Sequence, residues 1–210
     1  MVNSRERVIV IYSRPDDPPQ DNFPKVIPMR TLKLFTTAAL ASALVVPALA
    51  AQAPSSGWRA EFLYQIGAAD KKFTALAEAT PWEKYSWRPG KGVRSICEVY
   101  LHIAGDNYLM VEPLGVKKPV SIDYKTIETC PDSKAKVLAT MKEGFAHIKA
   151  AALGVPDGDS DAQVTFFGQK LTKRGLFLAI AEHAGEHLGQ SIAYARMNGI
   201  VPPWSAKGGM

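Results

Sequence analysis

The sequence predicts an all-α protein that folds as a four-helix bundle, and two observations support this fold class. Four segments repeat apolar residues at steps of three and four, the spacing that places them on one face of a helix. Loops of about 10–20 residues separate these segments, as in an up-and-down or related bundle. With 210 residues and 47% hydrophobic content, the chain suits one globular domain after any targeting segment.

The ends of the four segments are marked by residues that stop helices. The predicted helices cover residues 58–78, 94–111, 131–154 and 172–198. Pro81 and Pro113 follow the first two helices, and Pro156 follows the third. Gly199 is a suitable C-terminal cap for the last helix. Residues 164–169 are expected to form a short extended hairpin before the last helix.

The front of the chain has the pattern of an export signal. A short basic start precedes an apolar run, 34–46, that is too short to span a bilayer as a helix. Ala48 and Ala50, separated by one residue, then match a cleavage site of the A-x-A type. We expect a periplasmic or secreted protein with no stable membrane anchor after signal removal. The predicted division is an upstream over-extension or disordered leader at 1–28, a signal peptide at 29–50 and the bundle domain at 51–210.

The four histidines predict a metal site. His183 and His187 are four residues apart on the last helix, so their rings point the same way. His102 lies on the inward face of the second helix, and facing helices are about 8–10 Å apart. An isolated H-x-x-x-H pair is weak evidence, but a third inward ring favours one zinc, nickel or similar divalent ion bound by all three. His147 lies opposite the apolar stripe of the third helix and is expected on the solvated surface.

Four polar residues near these rings are candidates for proton transfer or substrate binding. Glu98 and Asp106 share the face of the histidine on the second helix. Glu186 flanks the histidine pair, and Gln190 lies one turn beyond it. Residues 183–187 also spell H-x-x-E-H, the inverted zincin motif, which needs a carboxylate ligand further along the chain. No Asp or Glu follows this motif, which disfavours a protease.

Cys97 and Cys130 are the only cysteines in the sequence. The loop between the second and third helices is long enough to return Cys130 beside the start of the second helix. An oxidising compartment permits a disulfide, although two unrelated thiols are the alternative. We expect the bond, which would stabilise the fold by about 3–4 kcal/mol in the chain-entropy model.

Two motifs resemble those of the DinB-like superfamily. Ser95, Glu98 and His102, followed by Ile-Ala, resemble the first metal-ligand helix of that family. Residues 182–190, with the Tyr-x-Arg that follows them, resemble its final helix, and the resemblance covers about 58–204. It implies a four-helix bundle of the DinB/YfiT type, often a homodimer, with a nickel or zinc ion.

The resemblance implies thiol chemistry, which the predicted export disfavours. Characterised members of the family are largely thiol-dependent transferases or isomerases, but low-molecular-weight thiols are maintained in the reducing cytosol. A metal-activated water needs no thiol, so we favour metal-dependent hydrolase-like chemistry on an unknown small molecule. A thiol S-transferase or isomerase and a non-catalytic metal- or ligand-binding protein remain the alternatives. The formal net charge of +5 is too weak to indicate a nucleic-acid partner.

Overall fold

The computed structural model describes residue 54 and residues 56–206 of the chain. It confirms an all-α bundle with a two-stranded hairpin before the last helix. The bounds agree with those predicted to within about three residues, the usual uncertainty of helix ends. The elements are α1 Gly57–Ala79, α2 Ile96–Leu109, α3 Lys134–Gly154, β1 Gln163–Phe166, β2 Gln169–Thr172 and α4 Lys173–Met197.

The predicted leader, 1–28, and the predicted export signal, 29–50, lie outside the described residues. The predicted start of the mature domain near Ala51 also lies outside them. Within the part of the chain that the structure describes, each helix is too short or too polar to cross a membrane.

Local hydrogen bonds fix the start of α2, which carries one of the candidate ligands. The Ser95 hydroxyl accepts the backbone N–H of Glu98 at 3.2 Å, and the Glu98 carboxylate accepts that of Ser95 at 2.7 Å. This reciprocal pair is a capping box, which satisfies two backbone donors at the helix end. Arg88 donates to the same carboxylate at 3.0 Å, so the preceding loop is tied to the helix.

Each helix packs mainly against two others. Helices α1 and α2 both pack on α3 and on α4, which places α1 and α2 at opposite corners of the bundle. The rings of Phe73, Phe145 and Tyr100 meet in the core, with centroids 5.8 and 6.5 Å from that of Phe73. A Cβ atom on Gly144 of α3 would lie 2.8 Å from the carbonyl oxygen of Ala104 on α2. The absent side chain therefore permits the close approach of these two helices.

The hairpin closes through a two-residue turn. Phe166 pairs with Gln169 at the end of the ladder, so Phe167 and Gly168 form the loop. Both have positive φ, 46° and 78° respectively, as a type I′ turn requires. Val164 is buried against the core and holds the hairpin on the bundle. The last strand leads directly into α4, whose first turn is capped by the Thr172 hydroxyl.

The predicted disulfide is present. Cys97, in the first turn of α2, is bonded to Cys130, and their Cα atoms are 5.8 Å apart. Cys130 belongs to the segment 115–133, which we call the α2–α3 loop. A second contact lies nearby, because a Cβ on Gly105 would be 3.1 Å from Cγ2 of Ile127. The loop is therefore fastened along the outer face of α2.

Candidate metal centre

The structure brings the three predicted imidazoles together. His102 projects from α2, whereas His183 and His187 project from successive turns of α4. One ligand nitrogen from each ring can be chosen so that all three lie within 4.8 Å of one another. The ring centroids are 4.5–5.5 Å apart, and all three residues are partly buried. Two helices of the bundle thus converge on one three-histidine cluster.

Hydrogen bonds determine which nitrogen of two rings is free. Nδ1 of His102 lies 2.8 Å from a carboxylate oxygen of Glu128, which can only accept a hydrogen bond. Nδ1 of His187 lies 2.8 Å from the side-chain oxygen of Gln190. The amide nitrogen of Gln190 donates to the hydroxyl of Tyr194 at 2.9 Å. With the amide in this orientation, both histidines carry the proton on Nδ1 when neutral and leave the Nε2 lone pair available to an ion.

Asp106, one turn beyond His102, lies beside the cluster. Its Oδ2 atom is 3.4 Å from Nε2 of His102 and 3.1 Å from Nε2 of His183. Burial by itself would raise the pKa of Asp106, but the hydrogen bond with His183 and the charge that the neighbouring imidazoles carry when protonated lower it overall. The structure therefore presents an ionised carboxylate next to two of the candidate ligand nitrogens.

Glu128 and Arg94 were not found by sequence analysis. The guanidinium of Arg94 holds the Glu128 carboxylate through two bonds of 2.7 and 3.1 Å, while the same carboxylate accepts from His102. Burial opposes ionisation of Glu128, but these partners together lower its pKa. Its position two residues before Cys130 was the available signal, because the predicted disulfide brings this part of the loop to α2.

Gln190 has an orienting position. Its side-chain amide forms hydrogen bonds with His187 on one side and Tyr194 on the other. The Tyr194 ring packs edge-on against Trp87, with centroids 5.4 Å apart. Burial is the largest influence on His187 and lowers its pKa; the bond to Gln190 acts against this. The neutral form of His187, which binds metal ions, is thereby favoured.

Two predicted candidates are placed elsewhere. The carboxylate of Glu98 is engaged by the helix cap and by Arg88, so it supports α2 instead of the imidazoles. Glu186 lies on the exposed side of α4, although it is adjacent in sequence to His187. The reason is helical geometry, since neighbouring residues on a helix point about 100° apart. Of the four candidates, the structure brings Asp106 and Gln190 to the cluster.

The prediction for His147 was wrong. His147 is half-buried instead of solvated, and its ring packs on Tyr108 with centroids 4.8 Å apart. Its Nε2 atom is buried without a protein hydrogen-bond partner, and burial lowers its pKa. The helical stripe alone did not reveal that Tyr108 from α2 covers this side of α3. His147 does not belong to the three-histidine cluster.

The residues present fit a divalent ion of the zinc or nickel type. Such ions accept imidazole nitrogen at about 2.0–2.1 Å, so small rotations of the rings would bring the three nitrogens to bonding distance. Ligand histidines usually donate their other N–H to a carboxylate or carbonyl oxygen. Glu128 and Gln190 provide these acceptors for two of the three rings.

A helical bundle with three inward histidines on two helices is the class that the fold and site define. The family model described as the DinB superfamily matches residues 65–191, and the chain belongs to this superfamily. No curated protein matches the sequence.

Three solved structures are similar in fold. A DinB-like protein from Bacillus cereus ATCC 10987 is 19% identical, with 68% of this chain and 93% of that chain covered and a TM-score of 0.59. A DinB-like protein from Bacillus subtilis is also 19% identical, with 67% and 93% covered and a TM-score of 0.53. A conserved protein from Enterococcus faecalis is 12% identical, with 65% and 94% covered and a TM-score of 0.57. At these identities the likeness concerns the fold.

Proposed function

We propose that this chain is an exported metal-dependent enzyme that hydrolyses a small molecule. His102, His183 and His187 hold one divalent ion, zinc, nickel or similar. The observation that carries the proposal is the Asp106 carboxylate beside the convergent ring nitrogens, with Oδ2 at 3.1 and 3.4 Å from two of them. A cluster of imidazoles alone serves binding, whereas an adjacent carboxylate adds a group that can accept a proton.

Each residue has a defined task in this proposal. The three imidazoles, when neutral, would hold the ion, which would act there as a Lewis acid and lower the pKa of water towards about 7. Asp106 Oδ2 accepts the proton that a water or substrate hydroxyl releases at the cluster. Glu128 and Gln190 hold the rings of His102 and His187 in one tautomer, so that their Nε2 atoms stay directed inward.

The disulfide supports export and hence the choice of hydrolysis over thiol transfer. Bonds such as Cys97–Cys130 form and persist in oxidising compartments and are rare in the cytosol. A transferase that uses a low-molecular-weight thiol would lack its cosubstrate there.

A turnover screen tests the reaction. The purified protein, loaded with zinc or nickel, is offered esters, amides, phosphoesters and lactones, with and without a chelator and with and without thiol. We expect hydrolysis that needs the metal and no thiol. Asp106→Asn should lower kcat by about 10²–10⁴-fold and retain the metal. Asp161→Asn, which changes an exposed acid paired with Arg174, is the matched control and should have no effect.

The other results of this screen are equally informative. Turnover that requires a thiol would overturn hydrolysis and favour an S-transferase or isomerase. Bound metal with unchanged turnover in Asp106→Asn would remove Asp106 from the reaction. A protein that binds small molecules at the metal without converting any of them would be a binding protein.

Export and assembly have separate tests. Protein recovered from the cell envelope should begin near Ala51, which N-terminal sequencing would establish; a start at Met1 would contradict export. The homodimer implied by the family resemblance stays a prediction, and light scattering after size-exclusion chromatography measures it.

A further inference from the structure

The residue that orients His102 lies on a segment without helix or strand. Glu128 belongs to the α2–α3 loop, residues 115–133, where the described backbone forms only turns. Three contacts fasten this part of the loop to α2 and to the residues just before it: the Cys97–Cys130 bond, the packing of Ile127 on Gly105, and the bonds from Arg94 to Glu128. The position of the Glu128 carboxylate therefore depends on these fastenings.

The disulfide is the covalent fastening, and it is close to both partners. Glu128 precedes Cys130 by two positions, a span of at most about 7 Å. Cys97 precedes His102 by five residues, about 7.5 Å along the helix axis. The remaining polar restraint is an ion pair whose side chains are 42% and 37% exposed. The pair is bidentate, so it orients the carboxylate, whereas the disulfide holds the loop backbone that carries Glu128.

The bond is also open to chemical reduction. Cys130 lies at the exposed end, whereas Cys97 is buried. A thiolate from a dithiol reductant would attack the sulfur of Cys130, the more exposed residue of the pair, and form a mixed disulfide. Its second thiol then completes the exchange: the reductant becomes a disulfide, and Cys97 and Cys130 receive two electrons and two protons as free thiols.

We propose that the Cys97–Cys130 bond couples the redox state of the protein to metal affinity, because it positions Glu128 against His102. The oxidised form holds the ion more tightly, and the reduced form releases the α2–α3 loop and weakens binding. Glu128 is a positioning residue here, since it acts on the ion through the imidazole. The inference rests on the proposed metal site and adds a regulation of it.

Metal affinity provides the first test. Competition with a chromophoric chelator measures the dissociation constant of zinc for the oxidised protein and for Glu128→Gln. The variant keeps the disulfide and should bind about 10–100-fold more weakly, the usual effect of removing a partner of a ligand histidine. Asp132→Asn is the matched control: it removes the same charge two residues from Cys130 on the other side, where Asp132 pairs with exposed Lys136. It should bind zinc as the parent protein does.

A double-mutant cycle tests whether the disulfide acts through Glu128. The Cys97→Ser, Cys130→Ser variant should bind zinc as weakly as Glu128→Gln. Adding Glu128→Gln to this variant should weaken binding little further, because the carboxylate is already displaced. Independent, additive losses would overturn the coupling. The serine variant also lacks the free thiols that could bind zinc in the reduced parent protein. Tighter zinc binding by the reduced parent protein than by this variant would therefore point to binding by the thiols and count against the proposal.

Linkage supplies a readout that a merely structural disulfide would not alter. If oxidation tightens zinc binding, zinc must favour the oxidised state by the same factor. The midpoint potential of the bond in a glutathione buffer, at fixed free zinc, should therefore become more negative. A tenfold coupling corresponds to about 30 mV, and Glu128→Gln should abolish the shift. This measurement carries the test if the serine variant fails to fold.

The failures of the two proposals are distinguishable. A parent protein that does not bind zinc or nickel at all would overturn the metal site and the coupling together. A parent protein that binds the ion equally in its oxidised and reduced forms would overturn the coupling alone.

Discussion

The helical and irregular parts of the site differ in what places their side chains. His102, His183 and His187 stand on α2 and α4, where the helical repeat fixes the direction of each ring. Glu128 stands on the α2–α3 loop, where a disulfide, a side-chain packing contact and an ion pair fix it. The comparison teaches that the candidate ligands depend on secondary structure, whereas their orienting group depends on tertiary contacts.

Removal of a helical ligand should have the largest effect. His183→Ala leaves two imidazoles. We expect the affinity for the metal ion to fall by more than about 100-fold, the largest usual effect of removing a hydrogen-bond partner of a ligand histidine. Elemental analysis after gel filtration should find the protein without metal. His147→Gln is the control, because His147 lies outside the cluster. If His183→Ala keeps a full complement of metal, the assignment of the three ligands is wrong.

The contact between α2, which carries His102, and α3 should have the next largest effect. Gly144→Ala would force a Cβ to 2.8 Å from the Ala104 carbonyl oxygen, so α3 must move. Overpacking of this kind costs about 1–3 kcal/mol of unfolding free energy, although alanine regains up to about 1 kcal/mol of helix propensity. Urea denaturation of the metal-free protein measures the difference.

A second glycine makes this prediction specific. Gly185 is an exposed residue of α4, and a Cβ there would meet nothing within 4 Å. Gly185→Ala should therefore raise the unfolding free energy by about 0.5–1 kcal/mol through helix propensity. Equal stabilisation by both substitutions would show that the close approach of α2 and α3 is unimportant.

These helical features could be predicted from the sequence, because the stripes and stop residues determine them locally. Spacing placed His183 and His187 on one face, and compartment chemistry with a long loop predicted the Cys97–Cys130 bond. Glu128 was missed because nothing periodic fixes a loop carboxylate, and only its position two residues before Cys130 indicated that it would lie near α2. The prediction that His147 is solvated was wrong because Tyr108, on another helix, packs against its ring.

The pH dependence of stability separates His147 from the cluster. Burial lowers the pKa of His147, so the unfolded state, with a pKa near 6.5, binds the proton more readily. Stability of the metal-free protein should thus fall as pH drops below about 6.5. His187 contributes with the same sign. Asp106 and Glu128 have lowered pKa values and lose their contribution only below about pH 4.

Urea midpoints at pH 7.5 and pH 5.5 measure this loss. We expect His147→Gln to lose less stability than the parent protein over this interval, because the buried titrating ring is gone. An identical loss in the variant would assign the dependence to other groups, with His187 as the first candidate.

The smallest predicted effect lies at the hairpin turn, outside both parts of the site. Phe167 is 80% exposed and has φ of 46°, a conformation that is unfavourable for most residues and that asparagine tolerates better. Asparagine followed by Gly168 is also the preferred type I′ pair. Phe167→Asn should therefore stabilise the protein by about 0.5–1 kcal/mol. The loss of the tilted contact with the Phe166 ring, whose centroid lies 4.3 Å away, would subtract from this gain.

Phe167→Ala separates these two terms, because it removes the ring and leaves the positive φ unfavourable. Alanine should give no gain in the urea midpoint, and asparagine should exceed it. Neither variant should change metal content, since the turn joins β1 and β2 and the cluster stands on α2 and α4. Equal stabilities of the two variants would place the cost in the exposed ring. A loss of metal in either would mean that the hairpin also supports the site through the start of α4.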